Sequence, residues 1–177
     1  HAPMPATELY EGADKFTLNS LKKMIFAHDL KGNIYNPRNK EIKCIVEGKA
    51  RGNLIGGNLS IICSSLGTEN EIDTRNKILF IEEIGEEPYK VDRMLLQLVQ
   101  AGKINYFAGI IFVYFSSCEP SNPNQSLTIS EVIKELIKPC GKPIIAGVAC
   151  GHSLPSLTLP MGVEVVIDSK NKNIKII

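Results

Sequence analysis

Tryptophan is absent, no two cysteines stand at C-x-x-C spacing, and no apolar run approaches the roughly 20 residues that a membrane-spanning helix needs. Charge of one sign is also lacking, because 20 Lys+Arg face 19 Asp+Glu for a net charge of +1. A nucleic-acid surface needs a concentrated basic face to displace counterions from phosphates, and this balance offers none. With 44% apolar residues the chain is neither disordered nor low-complexity. Its 177 residues can bury a real core, as one ordinary domain or two very small ones.

Cys44, Cys63, Cys118, Cys140 and Cys150 are odd in number and widely spaced, unlike a zinc site or a disulfide framework. Free thiols beside apolar or small residues pack as small hydrophobes, so a reducing, cytoplasmic setting is expected. The first residue is His1, followed by the Pro-spaced HAPMPATELYEG, which suits a fragment or processed product. The lack of a signal peptide is then uninformative. Nucleophile and phosphate motifs are missing too: there is no G-x-S-x-G, and GNLIGG lacks the Lys-Ser/Thr of a P-loop and the spacing of a dinucleotide fingerprint.

What is present is a strand–helix alternation. ILFI (78–81), GIIFVYF (109–115) and PIIAGV (143–148) are apolar runs of the kind that strands covered on both faces require. Between them, PYKVDRMLLQLVQAG opens on Pro88 and stops at Gly102, and ISEVIKELIK follows Thr128 and closes at Pro139; both read as helices. Ile42–Glu47 alternates as a strand, whereas VEVVID (163–168) and NIKII (173–177) suit an antiparallel pair around SKNK. Residues 1–16 read as a linker or an entry segment, and LNSLKKMIFA as a short helix capped by Thr17 or Asn19 with Leu18, Leu21 and Ile25 on one face. LKGNIYNPRNK reads as turns, GNLIGGNLS as a tight glycine turn with close backbone packing, and Leu59–Leu66 as a short helix or strand. The pattern predicts an α/β domain with a mixed sheet over residues 17–177.

Chemistry concentrates after two of the buried strands. Glu82 and Glu83 follow ILFI, at the carboxyl end of a strand where α/β folds gather ligands and catalytic groups; a solvated acidic turn with Glu86 and Glu87 is the plainer alternative. His152 follows PIIAGV in the turn GVACGHSLP, whereas His1 is terminal and His28 trails a helix. A carboxylate holding an imidazole nitrogen is half of a hydrolytic triad. Ser153 is adjacent to His152 and would point away from it, while Cys150, two residues before, could share its face or be a small buried thiol.

Three segments together, GGNLSIICSSLGT, ILFIEEIGEEPYKVDRMLLQL and AGVACGH with LTLPMG, resemble the LD-carboxypeptidases, the muramoyl-tetrapeptide carboxypeptidase family that also holds the microcin C self-immunity peptidases. HAPMPATEL resembles the H-G-P-M segment that follows the family's first domain. The resemblance covers nearly all of the chain but only the second half of a family member. It implies a three-layer β/β/α swivelling-type fold, with a serine nucleophile on an absent N-terminal domain. Glu82 falls on the glutamate of L-E-D-x-G-E, Glu83 on its aspartate, and His152 on the histidine of G-H. Ser156 stands where Asn is common before L-T-L-P, and Val113 where Gly is common, which touches substrate contacts rather than the triad.

The implied reaction removes the terminal D-alanine of the peptidoglycan tetrapeptide during murein recycling, without metal or cofactor. Implied partners are the L,D-peptide, the serine domain and a possible second copy, with neither nucleic acid nor membrane. Cleavage of a peptidyl antibiotic, a non-catalytic peptide-binding or dimerisation module, and a phosphohistidine swivelling domain are the alternatives. The triad assignment expects Glu82 within roughly 2.6–3.2 Å of a His152 nitrogen, looser without the serine domain, with Glu83 facing the other way.

Overall fold

The three apolar runs become neighbouring parallel strands. In the computed structural model, which describes residues 1–177, the strands are β1 (Gly32–Ile34), β2 (Lys43–Val46), β3 (Lys49–Asn58), β4 (Ile78–Ile84), β5 (Gly109–Ser116), β6 (Ile144–Ala146), β7 (Glu164–Asp168) and β8 (Asn173–Ile176). They form an eight-stranded sheet in the order β1-β8-β7-β3-β4-β5-β6-β2. β3, β4, β5 and β6 pair in parallel, while β1, β8 and β7 pair antiparallel at one edge and β2 at the other. The helices are α1 (Lys15–Phe26), α2 (Leu59–Ser64), α3 (Pro88–Gln100), α4 (Lys103–Tyr106) and α5 (Ile129–Leu136).

Two cores explain the layering. Successive strand residues point to opposite faces, so in β4 Ile78 and Phe80 enter one core and Leu79 and Ile81 the other. The first core packs the parallel strands against β1, β7 and β8 through Ile34, Val165, Ile167, Ile174 and Ile176. The second packs them against α2, α3 and α5 through Ile62, Leu95, Leu98, Val132 and Ile133. Sheet on sheet on helix is the β/β/α arrangement, an α/β fold as the sequence predicts.

β3 joins the layers. Lys49–Asn53 pair antiparallel with β7, and Leu54–Asn58 continue in parallel with β4. The tight turn expected at GNLIGGNLS is therefore absent, and its glycines lie inside a strand. Gly56 has φ +131°, and a Cβ there would stand 1.9 Å from the Phe80 carbonyl oxygen. The close packing is real; the turn is not, because side-chainless residues leave no alternation to read.

Two more expectations are corrected. LKGNIYNPRNK holds β1, which pairs with β8 from Gly32 opposite Ile176 to Ile34 opposite Ile174. α1 is capped by Asp14, whose Oδ1 accepts from the Phe16 and Thr17 amides, rather than by Thr17 or Asn19. Nor does α1 bury Leu18 and Ile25, which are exposed; Thr17 is buried, and Phe16 and Met24 pack on the first core. No helix is long and apolar enough to cross a membrane.

Candidate active site

β4 carries two buried carboxylates on opposite faces. Glu82 continues the Ile78–Phe80 face and is 1% exposed; Glu83 continues the Leu79–Ile81 face and is 2% exposed. Glu83 is fully partnered. One oxygen accepts from Asn58 Nδ2 at 2.8 Å and from the Ile84 amide, and the other accepts from the Ser60 amide at 2.9 Å and Ser60 Oγ at 2.7 Å. It ties the start of α2 to β4, so it is structural, and the solvated acidic turn weighed as the alternative for Glu82 and Glu83 is strand interior.

Glu82 is the opposite case. Its Oε2 is buried without a hydrogen-bond partner. Such a group is costly unless something compensates it. The nearest cation-forming group is His152, whose Nε2 stands 3.7 Å from that oxygen, beyond hydrogen-bond distance. The pair thus shares one crest at a looser spacing than 2.6–3.2 Å.

Several bonds hold His152 there. Between Ile81 and Glu83 the register with β5 shifts, so that Glu83 faces Phe115 while Ile81 faces Phe112. The extra β5 residue turns the strand outward, and the Tyr114 amide donates to the Cys150 carbonyl at 3.0 Å. Gly151, at φ +118°, lets the loop lie against Glu82 and Tyr114, where a Cβ would come within 3.7 Å of both side chains. Farther along, Thr17 Oγ1 accepts from the Ser156 amide at 2.8 Å, and Ser20 Oγ accepts from the Thr158 amide at 2.9 Å. Asn36 clamps the approach by donating to the Gly147 carbonyl and accepting from the Ala149 amide. Sequence reasoning passed over Thr17, Ser20 and Asn36; Thr17 entered it only as a helix cap.

The other nucleophile candidates fall away on geometry. Cys150 is fully buried, its thiol donates to the Leu157 carbonyl, and burial pushes its pKa up to about 12. Such a thiol gives almost no thiolate at neutral pH. Ser153 Oγ lies 2.6 Å from Ser116 Oγ, not on the imidazole. All five cysteines are free, and no cluster of three His, Cys, Asp or Glu is placed to hold a metal. The two largest cavities, about 500 and 440 Å³, lie at Tyr35–Lys172 and at Glu71–Lys103, away from Glu82 and His152. The candidate site is a crest open on one side.

Burial raises the Glu82 pKa above the ordinary 4.5, opposed by the positive field of His152 and by the Asn58 amide, with Glu83 adding a further upward push. A carboxyl whose folded pKa is raised adds stability that is fully present below its unfolded pKa and is lost as pH rises through the folded one. At neutral pH Glu82 therefore costs stability. We expect Glu82→Gln to raise the melting temperature at pH 7 by about 2–4 °C and to lose this advantage toward pH 4. Calorimetry from pH 4 to 8 checks it.

Comparison with known proteins bears on the family and the fold. Residues 51–167 match the family model described as the LD-carboxypeptidase C-terminal domain. A probable murein peptide carboxypeptidase of Bacillus subtilis (strain 168) is 38% identical over 173 residues, 97% of this chain and 53% of that protein. The microcin C7 self-immunity protein MccF of Escherichia coli is 33% identical over 134 residues, 73% of this chain and 37% of its own. Among solved structures, a muramoyltetrapeptide carboxypeptidase from Oxalobacter formigenes superimposes with a TM-score of 0.82 at 27% identity, over 98% of this chain and 58% of that one. The chain spans about half the length, or less, of the curated relatives it matches.

Proposed function

The chain belongs to the LD-carboxypeptidase family, and from that premise we propose that it is the C-terminal catalytic domain of a serine-type LD-carboxypeptidase. It supplies the Glu82 and His152 of a Ser-Glu-His triad, and the whole enzyme removes the terminal D-alanine from murein tetrapeptide in the cytoplasm. The observation that carries this reading is the buried, unpartnered Glu82 oxygen facing the His152 ring across 3.7 Å.

The chemistry follows from that arrangement. A serine from the preceding domain attacks the peptide carbonyl and its proton passes to the imidazole; the tetrahedral oxyanion then collapses, and the imidazolium returns the proton to the departing D-alanine amine. Water repeats the sequence on the acyl-enzyme and frees the carboxyl product. Glu82 orients the ring and stabilises its charged form. A carboxylate that is costly alone is most favourable when the imidazole gains its proton, and that happens in the transition state. The open crest leaves the other wall of the cleft to the serine domain.

A second substrate has a specific observation behind it. The likeness to MccF extends to solved structures at 25% identity, one in the apo state with a TM-score of 0.80 and one in complex with aspartyl sulfamoyl adenosine with a TM-score of 0.78. The same triad would serve a peptidyl antibiotic. Assaying the full-length protein on murein tetrapeptide and on an aminoacyl sulfamoyl nucleotide separates the two readings.

This domain alone is expected to release no D-alanine from tetrapeptide, because losing a triad nucleophile costs several orders of magnitude. Joining it to the serine domain restores turnover. Robust cleavage by the chain alone, unaffected by alkylating Cys150, would overturn the missing-nucleophile account.

A further inference from the structure

An imidazole has two nitrogens, and Glu82 meets only one of them. The other, Nδ1, faces Glu8, whose Oε1 lies 3.9 Å away. Glu8 sits in the single π-helical turn Pro5–Leu9, and its side chain is 15% exposed. Its other oxygen is anchored: Oε2 accepts from the Met4 amide and from Thr7 Oγ1, each at 2.7 Å. The carboxylate is therefore held by one oxygen and aimed by the other. No other side chain forms an ion pair with the ring.

We propose that Glu8 is a second positioning residue for His152, deciding together with Glu82 which ring nitrogen carries the proton. The inference deepens the proposed function, on which its catalytic meaning rests. A neutral imidazole has one N–H and one lone pair. With Nε2–H toward Glu82, the lone pair at Nδ1 is free to take a proton but confronts the Glu8 carboxylate. With Nδ1–H toward Glu8, that nitrogen has no lone pair and the base is idle.

Charge strengthens the competition. Burial pushes the Glu8 pKa up, but hydrogen bonds from Thr7 and from the Glu8 and Met4 backbone, with the field of His152, bring it below the ordinary carboxylate range. Glu8 is thus a firm anion, whereas Glu82 is the more weakly acidic of the two. Glu8 pulls the proton to the nitrogen that the nucleophile requires. The Pro5–Leu9 turn must then draw back, or be displaced, when the serine approaches. Residues 1–16, which link the domains in the proposed enzyme, become a positioning element as well as a tether.

The test is the tautomer of His152, read from imidazole ¹⁵N shifts of this chain at a pH above the ring's titration. In Glu8→Gln, the amide oxygen can keep the Met4 and Thr7 bonds while the NH₂ donates to Nδ1. The ratio of Nε2–H to Nδ1–H should rise about fivefold or more. Glu8→Ala should move it the same way by less, and Glu82→Gln the opposite way. An unchanged ratio in both Glu8 variants, with native backbone amide spectra, overturns the proposal; so does a shift toward Nδ1–H. Neither result depends on turnover, so failure of the carboxypeptidase reading would be seen separately in the peptide assay.

Discussion

Glu82→Gln in the full-length protein is expected to lower kcat by about 10³–10⁴, as loss of the orienting carboxylate does in a hydrolytic triad. An amide at this position can neither stabilise the imidazolium nor enforce the correct tautomer. KM should change little, since Glu82 is buried and approaches the imidazole at its Nε2 edge. Glu83→Gln is the control with the opposite signature. Its oxygens hold Asn58, Ser60 and the Ile84 amide, so the substitution should cost stability while leaving kcat within about tenfold of wild type. Steady-state release of D-alanine by both variants decides the matter. Equal losses in kcat would remove the distinction between the two acids, and with it the assigned role of Glu82.

The second large effect concerns stability. Gly56→Ala should destabilise the domain by on the order of 4–5 kcal/mol, at the extreme of single substitutions. Two penalties act together there. The backbone holds φ +131°, where an L-residue is strained, and the new methyl would meet the Phe80 carbonyl at 1.9 Å. The obstacle is backbone in a central strand and cannot swing aside. β3 would have to part from β4, and the crest bearing Glu82 would move with it. Urea unfolding of the variant measures the loss; a loss below about 1 kcal/mol, no more than an average point substitution costs, would contradict the packing described at this position.

Much of the architecture was legible where apolar runs are continuous. ILFI and GIIFVYF lie between two cores, and burial on both faces writes itself into sequence as an unbroken run. β3 was hidden because Gly56 and Gly57 remove the alternation that marks a strand. α1 was misread for a different reason. Its inward face uses the Thr17 and Ser20 hydroxyls to catch backbone amides of the His152 loop, while Leu18 and Ile25 stay outside. Apolar periodicity does not register hydroxyls recruited for hydrogen bonds. Glu82 and His152 could be singled out because each follows a readable apolar run. Glu8 could not, since it lies in a Pro-spaced stretch without periodicity, and only the folded chain brings it to the ring.

The pairing of β1 with β8 has a consequence for the order of assembly. Gly32–Ile34 find their strand partners only among Asn173–Ile176, so this strand waits on a segment far downstream of it. Translation proceeds at about 5–20 residues per second, which leaves β1 unpaired on the ribosome for several seconds. α1, packed through Phe16 and Met24 on a core that includes Ile174 and Ile176, waits with it. The helices and parallel strands between Leu59 and Ala146 can condense earlier, around contacts closer in sequence. The imidazole loop, held by Thr17 and Ser20, therefore gains its native support last. A nascent chain of this protein should acquire its helical layer before the crest that carries Glu82 and His152.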